Sequence, residues 1–174
     1  MKSVVEHYEN HLAPIYMWMA GGVSAALARG RAKVAAVCQR PLAGQLAVDL
    51  GAGFGMHALP LADIGYSVLA IDSCATLLDA MQSQRATRSI KIVRDDLRSF
   101  KKHLIAPATL IVCMGDRLTH LPDKSSVKDL IADVAEALIG GGMFIITFRD
   151  YTTPLIGTQR FIPVRSADTR RLTT

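Results

Sequence analysis

The chain has 174 residues, half of them hydrophobic and a fifth charged, a balance that can bury one core without covalent staples and excludes intrinsic disorder. Its longest apolar runs, such as Leu110 to Met114 and Met143 to Phe148, fall far short of the roughly 20 residues a membrane helix requires, so no bilayer span is expected. The formal net charge of +5 comes from scattered basic residues, apart from a group at Arg160, Arg165, Arg170 and Arg171, and reads as a solvated face or tail rather than a nucleic-acid surface.

Met1-Lys2 runs straight into Ser3-Val4-Val5-Glu6 without an apolar signal region, so the expected compartment is the cytoplasm. Ser3 and Glu6 form a capping box that predicts a first helix from Val4, ending before Pro14. Tyr16, Trp18 and the pair Gly21-Gly22 follow, and the alanine-rich run from Val23 to Gln39 predicts a second helix stopped by Pro41. Residues 1–42 are thus expected to be a helical segment ahead of the sheet.

From Gln45 the period changes. Leu46 to Leu50 is a compact apolar strand, His57 to Ile64 a helix and Ser67 to Ile71 a second strand, which together make a strand-helix-strand unit. Ser73 is placed to cap the next helix, Ala75 to Gln84, and Ile90 to Val93 supplies a third strand. Leu110 to Met114 predicts a fourth strand, Ser126 to Leu138 a helix, Gly140-Gly141-Gly142 its terminator and Met143 to Phe148 a fifth strand. The alternation predicts an α/β fold: a Rossmann-like, doubly wound, mainly parallel sheet of about five strands with helices on both faces, spanning residues 43–150, with 151–174 as a basic tail. The isolated cysteines, Cys38, Cys74 and Cys113, have no partner at zinc spacing and read as small core residues, and no metal site is expected.

Open sheets of this type bind ligands beyond the carboxyl ends of their strands, where strand order reverses. The end of the first strand reads Asp49-Leu50-Gly51-Ala52-Gly53-Phe54-Gly55, and its glycines let the backbone turn sharply and approach a ligand closely. A dinucleotide fingerprint would place its third glycine where Met56 stands, so a nicotinamide enzyme is disfavoured. The acidic residue followed by x-G-x-G-x-G resembles the first motif of the class I methyltransferases. The resemblance implies S-adenosylmethionine as cofactor, with Asp49 toward its amino-acid end and Gly51, Ala52 and Gly53 against its methionine part.

Further residues fall at matching places. Asp72 ends the second strand where a carboxylate accepts hydrogen bonds from ribose hydroxyls, with Ser73 beside it. In methyltransferases resembling this chain, the position of Asp96 serves the adenine amino group and the backbone of the next residue, here Leu97, serves the ring. The stretch Met114-Gly115-Asp116-Arg117-Leu118-Thr119-His120-Leu121 is similar to the G-N-S-x-x-H-L pattern of glycine N-methyltransferase and its small-molecule relatives, with Asp116 and Arg117 in place of Asn and Ser. That likeness implies that Met114 packs on the cofactor, that Asp116 faces the methyl acceptor, and that His120 is a candidate base. Tyr8, Tyr16 and Trp18 lie in the region that forms a lid in such enzymes, where aromatic rings enclose a sulfonium. The base-stacking motif of enzymes that methylate exocyclic amines of nucleobases does not occur.

The implied function is methylation of a small molecule at an N, O or S nucleophile. A second reading is an incomplete, non-catalytic cofactor-binding module, and a third, resting on the basic tail alone, is an RNA methyltransferase. The family's sheet has strand order 3-2-1-4-5-7-6, and the sequence stops at Arg171-Leu172-Thr173-Thr174 as a sixth strand would begin. The final two-strand hairpin is therefore expected to be missing, leaving the fifth strand with a bare edge that invites either a second copy of the chain or the tail.

Overall fold

The computed structural model describes residues 12–38, 40–150, 152–154, 156–160, 163–167 and 170–173. The expected capping box at Ser3 and Glu6, the helix beginning at Val4 and Tyr8 lie outside the described residues. A short helix, α1 (Ala13–Met19), carries Pro14 in its first turn, so this proline starts a helix where it was expected to end one. The reason is geometric: the proline ring fixes φ at a helical value, and the missing N–H is one that a first turn leaves unbonded anyway. Helix α2 (Val23–Val37) follows as the alanine-rich run predicts.

The main sheet is built from β1 (Leu46–Leu50), β2 (Ser67–Asp72), β3 (Ile90–Arg94), β4 (Ala108–Cys113) and β5 (Leu138–Ile146), in the order β3-β2-β1-β4-β5 with every neighbouring pair parallel. Helices α3 (Ala58–Asp63), α4 (Ala75–Gln84) and α5 (Lys124–Ala137) make the crossovers, with a 3-10 turn at Leu97–His103. Period-two alternation divides the core. Ala47, Val68, Ala70, Leu110 and Val112 pack on the face with Val34, Leu59, Leu61, Leu78 and Met81. Their chain neighbours Val48, Leu69, Ile71, Ile111 and Cys113 face the other way, onto Phe100, Leu130 and Val134. Cys74 and Cys113 are buried and Cys38 is half-buried.

Two boundaries differ from expectation. Asp123 caps α5 by accepting the Ser126 N–H at 2.7 Å, and the helix ends at Ala137 without help from the glycines. Gly140-Gly141-Gly142 instead lie inside β5, where the pairing with β4 shifts register between Ala108 paired with Leu138 and Leu110 paired with Met143. The glycines make an irregularity in a strand rather than a helix terminator, which fits the freedom they give the backbone at a bulge.

The main sheet has the five strands expected, with no hairpin added beside the fifth among the described residues, but a terminal hairpin does form apart from it. β6 (Pro163–Ala167) and β7 (Arg170–Thr173) pair antiparallel after a 3-10 turn at Gly157–Arg160. They form a two-stranded sheet of their own and, among the described residues, do not extend the main sheet beyond β5.

Candidate functional site

Strand order reverses between β1 and β4, so the carboxyl ends of these adjacent strands open a crevice at the sheet's switch point. From β1 the chain enters the glycine loop, in which Gly51 and Gly53 have φ of 76° and 56°. These values strain residues carrying a Cβ. The N–H groups of Gly51 and Ala52 both donate to the Ile71 carbonyl, which pins the loop to the end of β2. From the other side α2 approaches so closely that a Cβ on Gly30 would lie 1.8 Å from the Met56 carbonyl oxygen.

Asp72 closes the arrangement. Its carboxylate is buried and accepts the Gly53 N–H at 2.8 Å through Oδ2 and the Cys74 N–H at 2.9 Å through Oδ1. The expected capping of α4 by Ser73 does not occur: Cys74 is the cap residue, and Asp72 takes the N–H that would otherwise be unpaired. The longer reach of the aspartate from the strand end satisfies the turn, leaving Ser73 as a lining residue of the crevice.

The crevice is a cavity of about 430 Å³, within the usual range of small-molecule sites, roughly 300–1,000 Å³. Gly51, Asp72 and Ser73 line one side, Asp95, Asp96 and Leu97 the next, and Arg117, His120, Leu121 and Pro122 the third, with Arg94 and Arg98 also reaching it. Asp95 accepts from the Asp96 N–H at 2.7 Å and stands 2.7 Å from His103 Nε2. The hydrogen bond with His103 is the chief reason its carboxyl is held below the usual carboxylate range. Asp96 caps the 3-10 turn by accepting the Arg98 N–H, and the Arg98 guanidinium on its carboxylate keeps it ionised well below the usual range.

Other expected site residues lie elsewhere. Asp49 is 1% exposed and sits beneath the glycine loop instead of lining the cavity. Burial raises its pKa to about 7, opposed by the positive charge of Arg117 and by the Ala58 N–H, and its Oδ2 has no hydrogen-bond partner. Ala52 and Met114 are buried in the core cluster behind the site. Trp18 is half-buried on α1 and is not among the cavity's lining residues. Its neighbour Tyr16 instead reaches the loop, edge-on to Phe54 with ring centroids 6.0 Å apart.

Asp116 departs most from expectation. It adopts the left-handed conformation with φ of 62°, and its carboxylate turns away from the cavity to accept the Arg149 N–H at 2.6 Å and pair with Arg149 Nε at 3.0 Å. Gly115 N–H donates to Thr147 Oγ1 and Asp116 N–H to the Thr147 carbonyl, so the segment braces the ends of β4 and β5. His120 lies exposed at the rim. Arg94, Arg98 and Pro122 line the site although no motif singled them out, beside Asp95, the neighbour of the expected Asp96, and Leu121, the last residue of the G-N-S-x-x-H-L-like stretch. Arg117 was visible in the sequence only as a departure from a pattern, yet it lies directly over the glycine loop.

The loop fits a ligand that needs close backbone approach: a Cβ at Gly51 would lie 2.8 Å from Arg117 Cδ, so the glycine leaves a space that the Arg117 side chain, and no backbone, borders. Burial pushes the Cys113 thiol up to about 12 and the His57 imidazole down to about 4, so neither offers a ready nucleophile or cation here. Among the described residues, no group of three or more His, Cys, Asp or Glu is gathered to hold a metal ion.

The family model described as "Methyltransferase domain" matches residues 47–142, more than half of the chain and the whole of the crevice apart from its outer supports. The chain belongs to this methyltransferase family. A cypemycin N-terminal methyltransferase from a Streptomyces species is 33% identical over 135 residues, covering 76% of this chain and 52% of that protein. A glycine/sarcosine N-methyltransferase from Aphanothece halophytica is 26% identical over 107 residues, covering 60% of this chain and 40% of that protein. The methyltransferase chain described here thus spans about half, or less, of the length of these relatives. Among solved structures, magnesium protoporphyrin IX methyltransferase (ChlM) from Synechocystis PCC 6803 with bound SAM superposes with a TM-score of 0.65 at 18% identity, covering 98% of this chain and 92% of that one. That likeness is one of fold.

Proposed function

We propose that the chain binds S-adenosylmethionine in the crevice between β1 and β4 and transfers its methyl group to a small-molecule nucleophile, with an amine nitrogen as the favoured acceptor. The observation that carries the reading is the glycine loop tied to a buried carboxylate at the switch point: Gly51 and Gly53 keep the loop bare of side chains beside Asp72, along a path that the Arg117 side chain takes in this structure. The names of the relatives support it, since one is a glycine/sarcosine N-methyltransferase and another a cypemycin N-terminal methyltransferase. The assignment of residues is part of the proposal. Asp72 would take the ribose hydroxyls on the lone pairs its two backbone donors leave free, Ser73 would line that side, and Asp96 with Leu97 would hold the adenine.

Bound S-adenosylmethionine would supply an electrophilic methyl group on a sulfonium. What the protein must then do is position and dehydrate. The acceptor's lone pair would form the new bond to carbon as the carbon–sulfur bond broke with its electron pair left on sulfur, so the nitrogen would have to arrive unprotonated and in line. Leu97, Leu121 and Pro122 give the cavity apolar walls that limit water around the reacting atoms. His120, a lining residue of the cavity, would take the proton that the alkylated nitrogen loses. Asp116, engaged by Arg149, is proposed to act on the acceptor side by bracing β4 and β5 and not as a bare charge facing an amine. Helix α1 and the turn after it pack against the cluster that holds Phe54 of the glycine loop through Tyr16, Met17 and Ala20, which supports a covering role for this segment.

No helix among the described residues is long and apolar enough to cross a membrane. The outer edge of β5 has no partner strand among the described residues, and self-association through it is part of the proposal. The test of function is incubation with isotope-labelled S-adenosylmethionine and a panel of small amines, peptide N-termini, carboxylic acids and phenols, read by mass spectrometry. A labelled product from an amine supports the reading. Tight cofactor binding without any methylated product favours the binding-module alternative, and turnover on RNA alone overturns the small-molecule assignment.

A further inference from the structure

The crevice has an electrostatic problem at its glycine-loop end. Asp49 and Asp72 are both buried there, close enough to influence each other, and Asp49 has one oxygen without a hydrogen-bond partner. An amino-acid arm lying along Gly51 and Gly53 would bring a third carboxylate into the same space together with its own ammonium, and a protein cation beside that carboxylate would offset the added negative charge. Three arginines line the cavity. Arg98 is committed to Asp96, with contacts at 2.5 Å and 3.0 Å. Arg94 reaches back to the Ser73 carbonyl at 3.2 Å, on the side of β2 and β3.

Arg117 is the arginine at the loop itself. A Cβ on Gly51 would lie 2.8–3.0 Å from its Cδ, Cγ and Nε, and a Cβ on Gly53 would lie 3.3 Å from its terminal Nη2. Its side chain therefore follows the path along the two glycines that the ligand's arm would need. It is carried by a short 3-10 turn, Arg117–His120, that starts from the left-handed Asp116, so its backbone is braced to β5 while its side chain extends across the crevice.

We propose that Arg117 is the specificity residue for the cofactor's α-carboxylate, giving up its seat on the glycine loop to form a salt bridge with that group. The inference rests on the S-adenosylmethionine reading above. It assigns recognition of the amino-acid arm to a side chain that arrives from β4, across the switch point from the loop, and it makes the ligand-free position of that side chain a cover over the glycines. A guanidinium suits the task because its planar fork pairs with both oxygens of a carboxylate.

The test compares S-adenosylhomocysteine with its decarboxylated analogue, which keeps the adenosine, the sulfur and the amino group, in titration calorimetry on the full chain. With the unaltered protein the decarboxylated analogue should bind about tenfold or more weakly, as expected for loss of a charge-assisted pair. In Arg117→Gln, S-adenosylhomocysteine should weaken by a similar factor while the analogue holds or gains affinity, because the cover is gone. Arg117→Lys should recover part of the difference. Equal affinities for the two ligands in the unaltered protein overturn the proposal whether or not the variants fold. So does an Arg117→Gln variant that weakens both ligands alike or tightens S-adenosylhomocysteine. Failure of both nucleosides to bind the unaltered protein overturns the cofactor reading itself.

Discussion

The Gly53 N–H donates to Asp72 Oδ2 at 2.8 Å in a buried setting, so the residue proposed to hold the ribose also sets the shape of the glycine loop. Asp72→Ala removes both this bond and the one from Cys74. Affinity for S-adenosylhomocysteine should fall by about tenfold or more. The fold should also lose roughly 1.5–3 kcal/mol, from donors left without their charged acceptor. Calorimetry and thermal melts together check this. A large affinity loss with an unchanged melting temperature would show that the latch contributes nothing to the fold.

Gly30 lies in the middle of α2, where alanine would ordinarily gain about 1 kcal/mol in helix propensity. Here a Cβ would press on the Met56 carbonyl at 1.8 Å, and a backbone atom cannot move aside as a side chain can. Overpacking of this kind costs about 1–3 kcal/mol or more, so Gly30→Ala should lower the denaturation midpoint despite the better helix former. Because Met56 directly follows Gly55, ligand affinity should fall with it. A higher midpoint in the variant would contradict the close packing of α2 on the loop.

Asp49 gives the protein a distinctive pH response. Burial raises its folded-state pKa to about 7 from an ordinary 3.8. Below about 4 it is protonated in both states and has no effect. Between about 4 and 7 the folded state holds a proton that the unfolded state has released, so stability falls as pH rises, by an amount on the order of a few kcal/mol, and levels off above 7. Asp49→Asn removes this slope. The variant should therefore gain stability relative to the parent on going from pH 5 to pH 8, as read by urea denaturation at each pH. Parallel stability curves for the two proteins would be the contrary result.

Asp116→Asn tests the brace between β4 and β5. Asparagine tolerates the left-handed backbone and keeps an oxygen for the Arg149 N–H, and the ion pair it loses is partly exposed, so the fold should change by less than about 1 kcal/mol. Cofactor affinity should stay within about threefold, since the carboxylate does not line the cavity, while acceptor turnover falls as the β4 end loosens. Cofactor binding that drops as far as in Asp72→Ala would place Asp116 on the wrong side of the site.

The order of elements and the glycine loop were legible because both rest on local signals: apolar runs of strand length separated by helical periods, and glycines where the chain must turn at a strand end. Asp72 and Ser73 were locatable from the end of the second strand and Asp96 and Leu97 from the resemblance to methyltransferases, and all four line the cavity. Side-chain direction was not legible. Whether Asp49 points over the loop or beneath it depends on the parity of β1, and whether Asp116 faces an acceptor depends on Arg149, thirty-three residues away in sequence. Arg117 meets Gly51 only because β4 lies beside β1, a relation no spacing along the chain displays. The Gly140-Gly141-Gly142 run misled because a glycine cluster after a helix and a glycine bulge in a strand look alike until the pairing with β4 is known.

Hydrogen exchange with and without saturating S-adenosylhomocysteine tests the central claim most directly, because it reports both whether the nucleoside binds and where. Binding in the crevice should slow exchange in peptides spanning residues 50–57 and 94–99, with little change in α5 and in the β6 and β7 hairpin, since the ligand would order the glycine loop and the turn after β3. Unchanged exchange across the chain, or slowing confined to segments away from the β1 and β4 crevice, would contradict it.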